Sequence, residues 1–380
     1  MKIRILYPNY FRNSLIAYVV LSIAESMHAI NQSIRVMGIS SSDVRLSIYS
    51  DAIPQVVERL AFKFVDARLL KKITEYRFKS MLRPGDIVCL WPGTSTELYR
   101  DLNSKGYVVV KEMVNCHQLT SQRILSDEYV RLSLPKFDGI SDDEIKEETD
   151  QLALSDIVIS PSPMVRKSLL SAGVPESKII NSSFGWAPSK VYSTKKLKEK
   201  PSAGVTVAFV GTLCVRKGVH LLKEIWGNLH AEAKLLIVGR IAPDFKHRIS
   251  GFLEQKDVEH YEWLDDLSEI YSRADVFVLP SLEEGSPLVI YDAMGAGLPI
   301  IASPMGGGGV VKDGVNGMLI EPHDIRGWVT ALTDMIENVE MRREFSGQSQ
   351  ILSRKYTWDQ VGRRRLCQYE AAAQSVRQLN

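Results

Sequence analysis

The stretch from Ala274 to Ser303, ADVFVLPSLEEGSPLVIYDAMGAGLPIIAS, constrains the fold more than any other part of the chain. Val276 to Leu279 is a short apolar, β-rich run, the pattern of a strand covered on both faces of a parallel sheet. Pro280-Ser281 ends that run. Pro287 suits the first position of a helix, where the missing N–H is not needed and φ is already helical. Ser286 before it suits the cap. Gly295 and Gly297 close the helix, and Leu298 to Ala302 reads as the next strand. The helix therefore starts at the carboxyl end of a parallel strand, where α/β folds bind ligands and free helix N–H groups favour an anion. Two carboxylates bracket it. Glu284 stands in the loop before it, and Asp292 lies about one and a half turns inside it.

The same alternation recurs along the chain. Val205 to Val210 reads as a strand, followed by a turn from Gly211 to Gly218 that carries Arg216 and Lys217, then a periodic helix through Trp226. In the amino-terminal half, strands are expected over Ile3–Tyr7, Ile34–Gly38, Arg45–Ile48, Asp86–Leu90, Tyr107–Lys111 and Asp156–Ser160, with a first helix over Ser14–Ile30. Val56 to Leu82 reads as one long helix dense in bases, among them Arg59, Lys63, Arg68, Lys71 and Lys72, interleaved with Phe62, Phe64, Leu69 and Tyr76. Such a helix lies on an anionic membrane surface, or it covers a domain core with its lysines in water. Residues 189–204, polar, lysine-rich and proline-bounded, read as a linker. A length of 380 residues accommodates two domains, here 1–188 and 205–356, with a last helix over 357–380.

Composition adds bounds rather than detail. Hydrophobic and charged fractions of 45% and 24% are those of a globular protein, and a net charge of +2 does not call for a polyanionic partner. The four cysteines (Cys89, Cys116, Cys214 and Cys367) have no metal-ligand spacing or paired framework, which suits reduced thiols in a cytoplasm. MKIRILYPNYF lacks the apolar core of a signal peptide and reads as a first strand.

The spacing E-x7-D, inside PS-x-x-EG-x-P-L-x-x-x-D-A-M-x-x-G-x-P-x-I, resembles the E-x7-E signature of the family-4 retaining glycosyltransferases. Gly211 to Gly218 resembles their G-x-L-x-x-x-K-G turn. The resemblance implies the GT-B architecture, an α/β fold in which two Rossmann-like, doubly wound parallel-sheet domains face each other across a cleft. The last helix then crosses back onto the first domain. It implies that Glu284 contacts the donor sugar, and that the backbone of Ser286, Pro287 and Leu288 holds the diphosphate with Gly211, Arg216 and Lys217. Asp292, one methylene shorter than the usual glutamate, takes the ribose. His117, in the loop after the Tyr107–Lys111 strand, matches a histidine that relatives place beside the reacting sugar, with Glu112 and Asn115 as neighbouring polar candidates. Arg12, in a first loop without glycine, is a candidate anion contact or a solvated side chain. The arginines from Arg363 to Arg365 form a solvated face or a membrane contact.

The implied reaction moves a sugar from a UDP- or GDP-sugar to an acceptor hydroxyl with retention, in polysaccharide or glycolipid assembly. It uses neither a metal nor a further cofactor. The implied partners are the nucleotide-sugar donor, a carbohydrate or lipid-linked acceptor, and an anionic membrane touched peripherally, with no nucleic acid. The implied location is the cytoplasm, at the inner membrane face. Two rival readings keep the fold: an epimerase or phosphorylase, and a non-catalytic sugar-nucleotide or glycan-binding protein. A dinucleotide oxidoreductase is poorly supported, because no G-x-G-x-x-G follows the first strand.

Overall fold

Short apolar strands separated by helices can bury both faces of a sheet only by laying the helices on either side of it. The chain does this twice. The computed structural model describes residues 2–11, 15–41, 47–191 and 204–379. The first sheet contains β1 (Ile3–Leu6), β2 (Ile34–Gly38), β3 (Tyr49–Asp51), β4 (Ile87–Leu90), β5 (Val108–Glu112), β6 (Ile157–Ser160) and β7 (Ile179–Asn181). Its order is β3-β2-β1-β4-β5-β6-β7. The second contains β8 (Val205–Val210), β9 (Ala233–Val238), β10 (Val258–Tyr261), β11 (Val276–Leu279), β12 (Ile300–Ala302) and β13 (Gly317–Leu319), in the order β10-β9-β8-β11-β12-β13. Neighbouring strands are parallel throughout both sheets.

Each sheet reverses its strand order once, between β1 and β4 in the first and between β8 and β11 in the second. At such a reversal the loops leaving the two central strands diverge to opposite faces and open a crevice at their carboxyl ends. In the second sheet these are the loops that carry Arg216-Lys217 and Glu283-Glu284.

The basic segment is not one helix. It breaks at Val65-Asp66 into a Gln55–Phe64 helix and an Ala67–Met81 helix, because the Asp66 carboxylate caps the second by accepting from the Arg68 N–H. The strand expected to begin at Arg45 is observed at Tyr49–Asp51, and Arg45 itself lies outside the described residues. Outside them too lie Arg12 and residues 192–203, which make up most of the expected linker.

The terminal Trp358–Leu379 helix packs on the first domain's Leu15–His28 helix so closely that a Cβ on Gly362 would stand 2.4 Å from the Ser26 Cβ. Its Trp358 indole donates to the Tyr18 hydroxyl at 2.8 Å. Further along, Arg365 is fully buried and pairs through Nη1 with both oxygens of Glu112, at 2.5 and 2.6 Å, while the Tyr369 hydroxyl donates to the same carboxylate. Two expectations are corrected here. Arg365 faces the core rather than water, and Glu112 is a structural anion at the end of β5. Removing one partner of a buried ion pair leaves an uncompensated charge, so Glu112→Ala is expected to cost about 3–5 kcal/mol. Arg363→Ala, which truncates an exposed neighbour, should leave the denaturation midpoint nearly unchanged.

Candidate active site

Glycine geometry brings the two cation- and acid-bearing loops together. Gly218, at φ +67°, lies so close to the Pro280 carbonyl that a Cβ would stand 1.9 Å from its oxygen. The Leu282 N–H donates to the Arg216 carbonyl at 2.9 Å and fixes one loop on the other. Arg216 and Lys217 therefore face the carboxylates that follow β11. Lys217 Nζ pairs with Glu284 Oε1, and Arg216 Nη1 lies 3.3 Å from Glu284 Oε2 and 3.5 Å from Glu283 Oε2. Ser281 Oγ adds a hydrogen bond to Glu284 at 3.3 Å.

Both acids are almost fully buried, and their protonation is pulled in opposite directions. Burial favours the neutral form of Glu284, but the charges of Lys217 and Arg216 outweigh it and hold the carboxyl below its ordinary range. Burial also pushes Glu283 up; the Glu284 charge adds to that, and Arg216 opposes it. The site thus holds one firmly ionised carboxylate beside a more easily protonated one.

The other lobe closes over this cluster. Gly285 meets the chain after β5 so tightly that a Cβ would stand 1.7 Å from the Val114 carbonyl oxygen. The Cys116 thiol donates to the Glu284 carbonyl at 3.7 Å, and Ser121 Oγ donates to Glu283 Oε1 at 3.0 Å. Further along the same Gln118–Arg131 helix, buried Glu128 meets His220 Nε2 at 2.6 Å and His323 Nε2 at 2.8 Å, both from the second lobe. A cavity of about 970 Å³ remains between the lobes, bordered by the ends of β4 and β5, the Ala67–Met81 and Asp142–Leu154 helices, and the turn from Cys214 to Arg216.

The expected site residues do not all converge. Gly211 shapes the turn and Lys217 packs over it; a Gly211 Cβ would be 3.5 Å from Lys217 Cε. The helix after the acids runs over Leu288–Gly295, one residue later than expected. Pro287 occupies its N-cap position without a side-chain cap, because Ser286 Oγ is engaged with the Tyr291 hydroxyl at 2.6 Å. Ser286 is thus not the cap, and the first N–H groups of the helix, from Leu288 on, are left uncapped by any side chain. Asp292 sits on the largely buried face of that helix near Lys190; burial raises its carboxyl to about 7, and Lys190 opposes the rise.

His117 is not brought to the cavity. It is 1% exposed and caps the Gln118–Arg131 helix, its Nδ1 accepting from the Leu119 N–H at 3.3 Å. That leaves the ring proton on Nε2, which faces Thr149 Oγ1 at 3.3 Å. His117 thus starts a helix in this structure, with its Nε2 also 3.8 Å from Glu148 Oε2 at the cavity border. Sequence reasoning also missed Glu283, Ser121 and Glu128. A signal for Glu283 existed in the paired acids of the loop, but Glu128 is set only by tertiary contact. Among the described residues no group of three or more His, Cys, Asp or Glu side chains is placed to hold a metal ion.

Residues 204–338 match the family described as glycosyl transferases group 1. Sulfoquinovosyl transferase SQD2 of Arabidopsis thaliana is 28% identical over 222 residues, covering 54% of this chain and 42% of that protein. The chain spans about half the length of the curated relatives it matches. Likeness in fold extends along the whole chain. Sucrose-phosphate synthase of Thermosynechococcus elongatus gives a TM-score of 0.72 at 18% identity, covering 97% of this chain and 98% of that one. HepE of Anabaena, solved with UDP and glucose, gives 0.68 at 15% identity, covering 98% and 100%. The chain has the GT-B fold that its motifs imply.

The Asp292 geometry has a measurable consequence for stability. Its folded-state value of about 7 lies above the ordinary carboxylate value near 3.9. As pH rises through that interval the unfolded chain releases a proton that the folded chain keeps, so this group's contribution to stability declines and then levels off above about 7. Asp292→Asn should melt with a shallower decline between pH 4.5 and 7.5 than the parent; parallel curves would remove Asp292 from the account.

Proposed function

We propose that this protein is a glycosyltransferase that binds a nucleoside diphosphate sugar on its second lobe and transfers the sugar to an acceptor hydroxyl with retention of configuration. The observation that carries the proposal is the pairing of Arg216 and Lys217 with Glu284 at the strand-order reversal of the second sheet. It lies within the domain that matches the group 1 glycosyl transferases. The complex of HepE with UDP and glucose supports a uridine donor.

Two cations beside an uncapped helix start suit a diphosphate, and most of all a departing one that gains negative charge. In the protein without donor their charge is met by Glu284. When a diphosphate takes those contacts, Glu284 is released to accept hydroxyl hydrogens of the sugar. Its lowered pKa keeps it ionised until that exchange. Asp292, on the same helix, is assigned to the ribose hydroxyls. With His117 occupied as a helix cap, no side chain is assigned as a general base, and the leaving phosphate oxygen takes the acceptor proton on the same face of the sugar. No metal is assigned to the reaction.

The decisive measurement is thermal stabilisation by UDP and GDP together with release of nucleotide from the matching sugar donor. A ligand at a hundredfold excess over its dissociation constant stabilises by about 2.7 kcal/mol. Lys217→Ala should abolish the shift and the turnover together. An unchanged shift would place the nucleotide elsewhere.

Peripheral membrane contact is part of the same proposal. No described helix is long and apolar enough to cross a membrane. The Gln55–Phe64 helix, however, has no buried residue and exposes Val56 (91%), Leu60 (61%) and Phe64 (72%) beside Arg59 and Lys63. Apolar side chains flanked by cations fit the boundary of an anionic bilayer. The double change Leu60→Glu, Phe64→Glu is expected to abolish co-sedimentation with phosphatidylglycerol vesicles, and equal sedimentation of parent and variant would refute this surface.

A further inference from the structure

The carboxylates and cations around the interlobe cavity are not evenly satisfied. Among the described residues seven carboxylates border it, and each already has a donor within the protein. Glu75 accepts from the N–H and hydroxyl of Ser95, Glu112 from Arg365, and Glu144 from the N–H and hydroxyl of Ser141. Glu147 accepts from the Gln151 amide, and Glu148 from the Gln118 N–H. Asp244 is bonded by the Tyr129 hydroxyl and Glu283 by that of Ser121. Five cations among the described residues border the cavity too. Lys111 donates to Gln151 Oε1 at 2.7 Å, and Arg216 lies on the acid pair. The remaining three, Arg68, Lys71 and Lys72, have no acceptor for their side chains among the described residues.

These three occupy positions i, i+3 and i+4 of the Ala67–Met81 helix, so they project from one face. That face is turned to the carboxyl ends of the first sheet. Lys71 Nζ reaches the turn after β4, 3.5 Å from where a Cβ on Gly93 would stand. The Asn9 side-chain amide, from the loop after β1, donates to the Pro92 carbonyl of the same turn at 3.2 Å. The charged side chains of the cavity that lack a partner are therefore three cations, gathered at one wall and placed at the strand-order reversal of the lobe opposite Arg216 and Lys217.

We infer that Arg68, Lys71 and Lys72 seat an anionic group, a phosphate or a carboxylate, carried by the acceptor. This deepens the proposed glycosyl transfer and rests on it, because it names the class of acceptor for the same cavity. The hydrogen-bonded acids of the Asp142–Leu154 helix, Glu144, Glu147 and Glu148, form a second wall, where oxygens remain to accept hydroxyl hydrogens of a sugar. An acceptor with hydroxyls at one end and a negative charge at the other matches both walls.

The test is titration calorimetry on the full chain saturated with UDP, so that the diphosphate seat is already filled. The probes are glucose, glucose 6-phosphate, glucuronate and water-soluble dihexanoyl phosphatidylglycerol, each against the parent and against the triple variant Arg68→Gln, Lys71→Gln, Lys72→Gln. At least one anionic probe should bind the parent more tightly than glucose does and lose affinity about tenfold or more in the variant, as three charge-assisted contacts are removed. UDP affinity should be the same in both proteins. Selective binding of glucose 6-phosphate or glucuronate identifies a small anionic acceptor; selective binding of the phospholipid identifies a lipid-borne one. Equal affinity of parent and variant for every anionic probe, or no preference for any of them over glucose, overturns the inference. Should UDP itself fail to bind, the donor reading falls separately, and the same titrations without UDP still report on the three cations.

Discussion

A carboxylate as deeply placed as Glu284 is stable only with cations against it, and two reach it from a different strand. That one requirement ties the loop after β8 to the loop after β11 and makes the reversal of strand order in the second sheet a binding crevice rather than a gap. Gly218 lets the cation turn approach the Pro280 carbonyl, and Gly285 lets the acid loop approach the first lobe. Each position tolerates no Cβ because backbone, and not a flexible side chain, is what lies against it.

The same acid loop is also the main seam between the lobes. Glu283 reaches across to Ser121, the Glu284 carbonyl receives Cys116, and Glu128 returns the contact to His220 and His323. The groups assigned to the donor are thus the groups that hold the cleft shut. On the proposed function, exchanging Glu284 for a diphosphate at Lys217 and Arg216 would alter the charge at that seam and couple donor binding to the position of the first lobe.

Much of this was legible in the residues. The strands around β8 and β11 and the glycine turns declare themselves by apolar runs bounded by Gly and Pro, since a parallel strand covered on both faces has little freedom in composition. What the residues alone did not show was which partner each polar side chain takes in the fold. Ser286 has the chemistry of a cap, but Tyr291 takes its hydroxyl. His117 has the chemistry of a catalyst, but a helix start and Thr149 take its two nitrogens. Arg365 sits in a run of three arginines that reads as a wet surface, and only the fold shows Glu112 waiting for it. The break before Ala67 is different in kind: an aspartate ahead of a helix was there to be read, and the continuous basic pattern across it hid the cap.

The Glu112–Arg365 pair joins residues 253 positions apart in the chain. The first sheet therefore cannot settle its innermost charge until Trp358–Leu379 has been synthesised and docked. On a ribosome the second lobe would emerge and be free to fold while the first still waits for that helix. Vectorial folding of this molecule runs in reverse, with the lobe made first completed last.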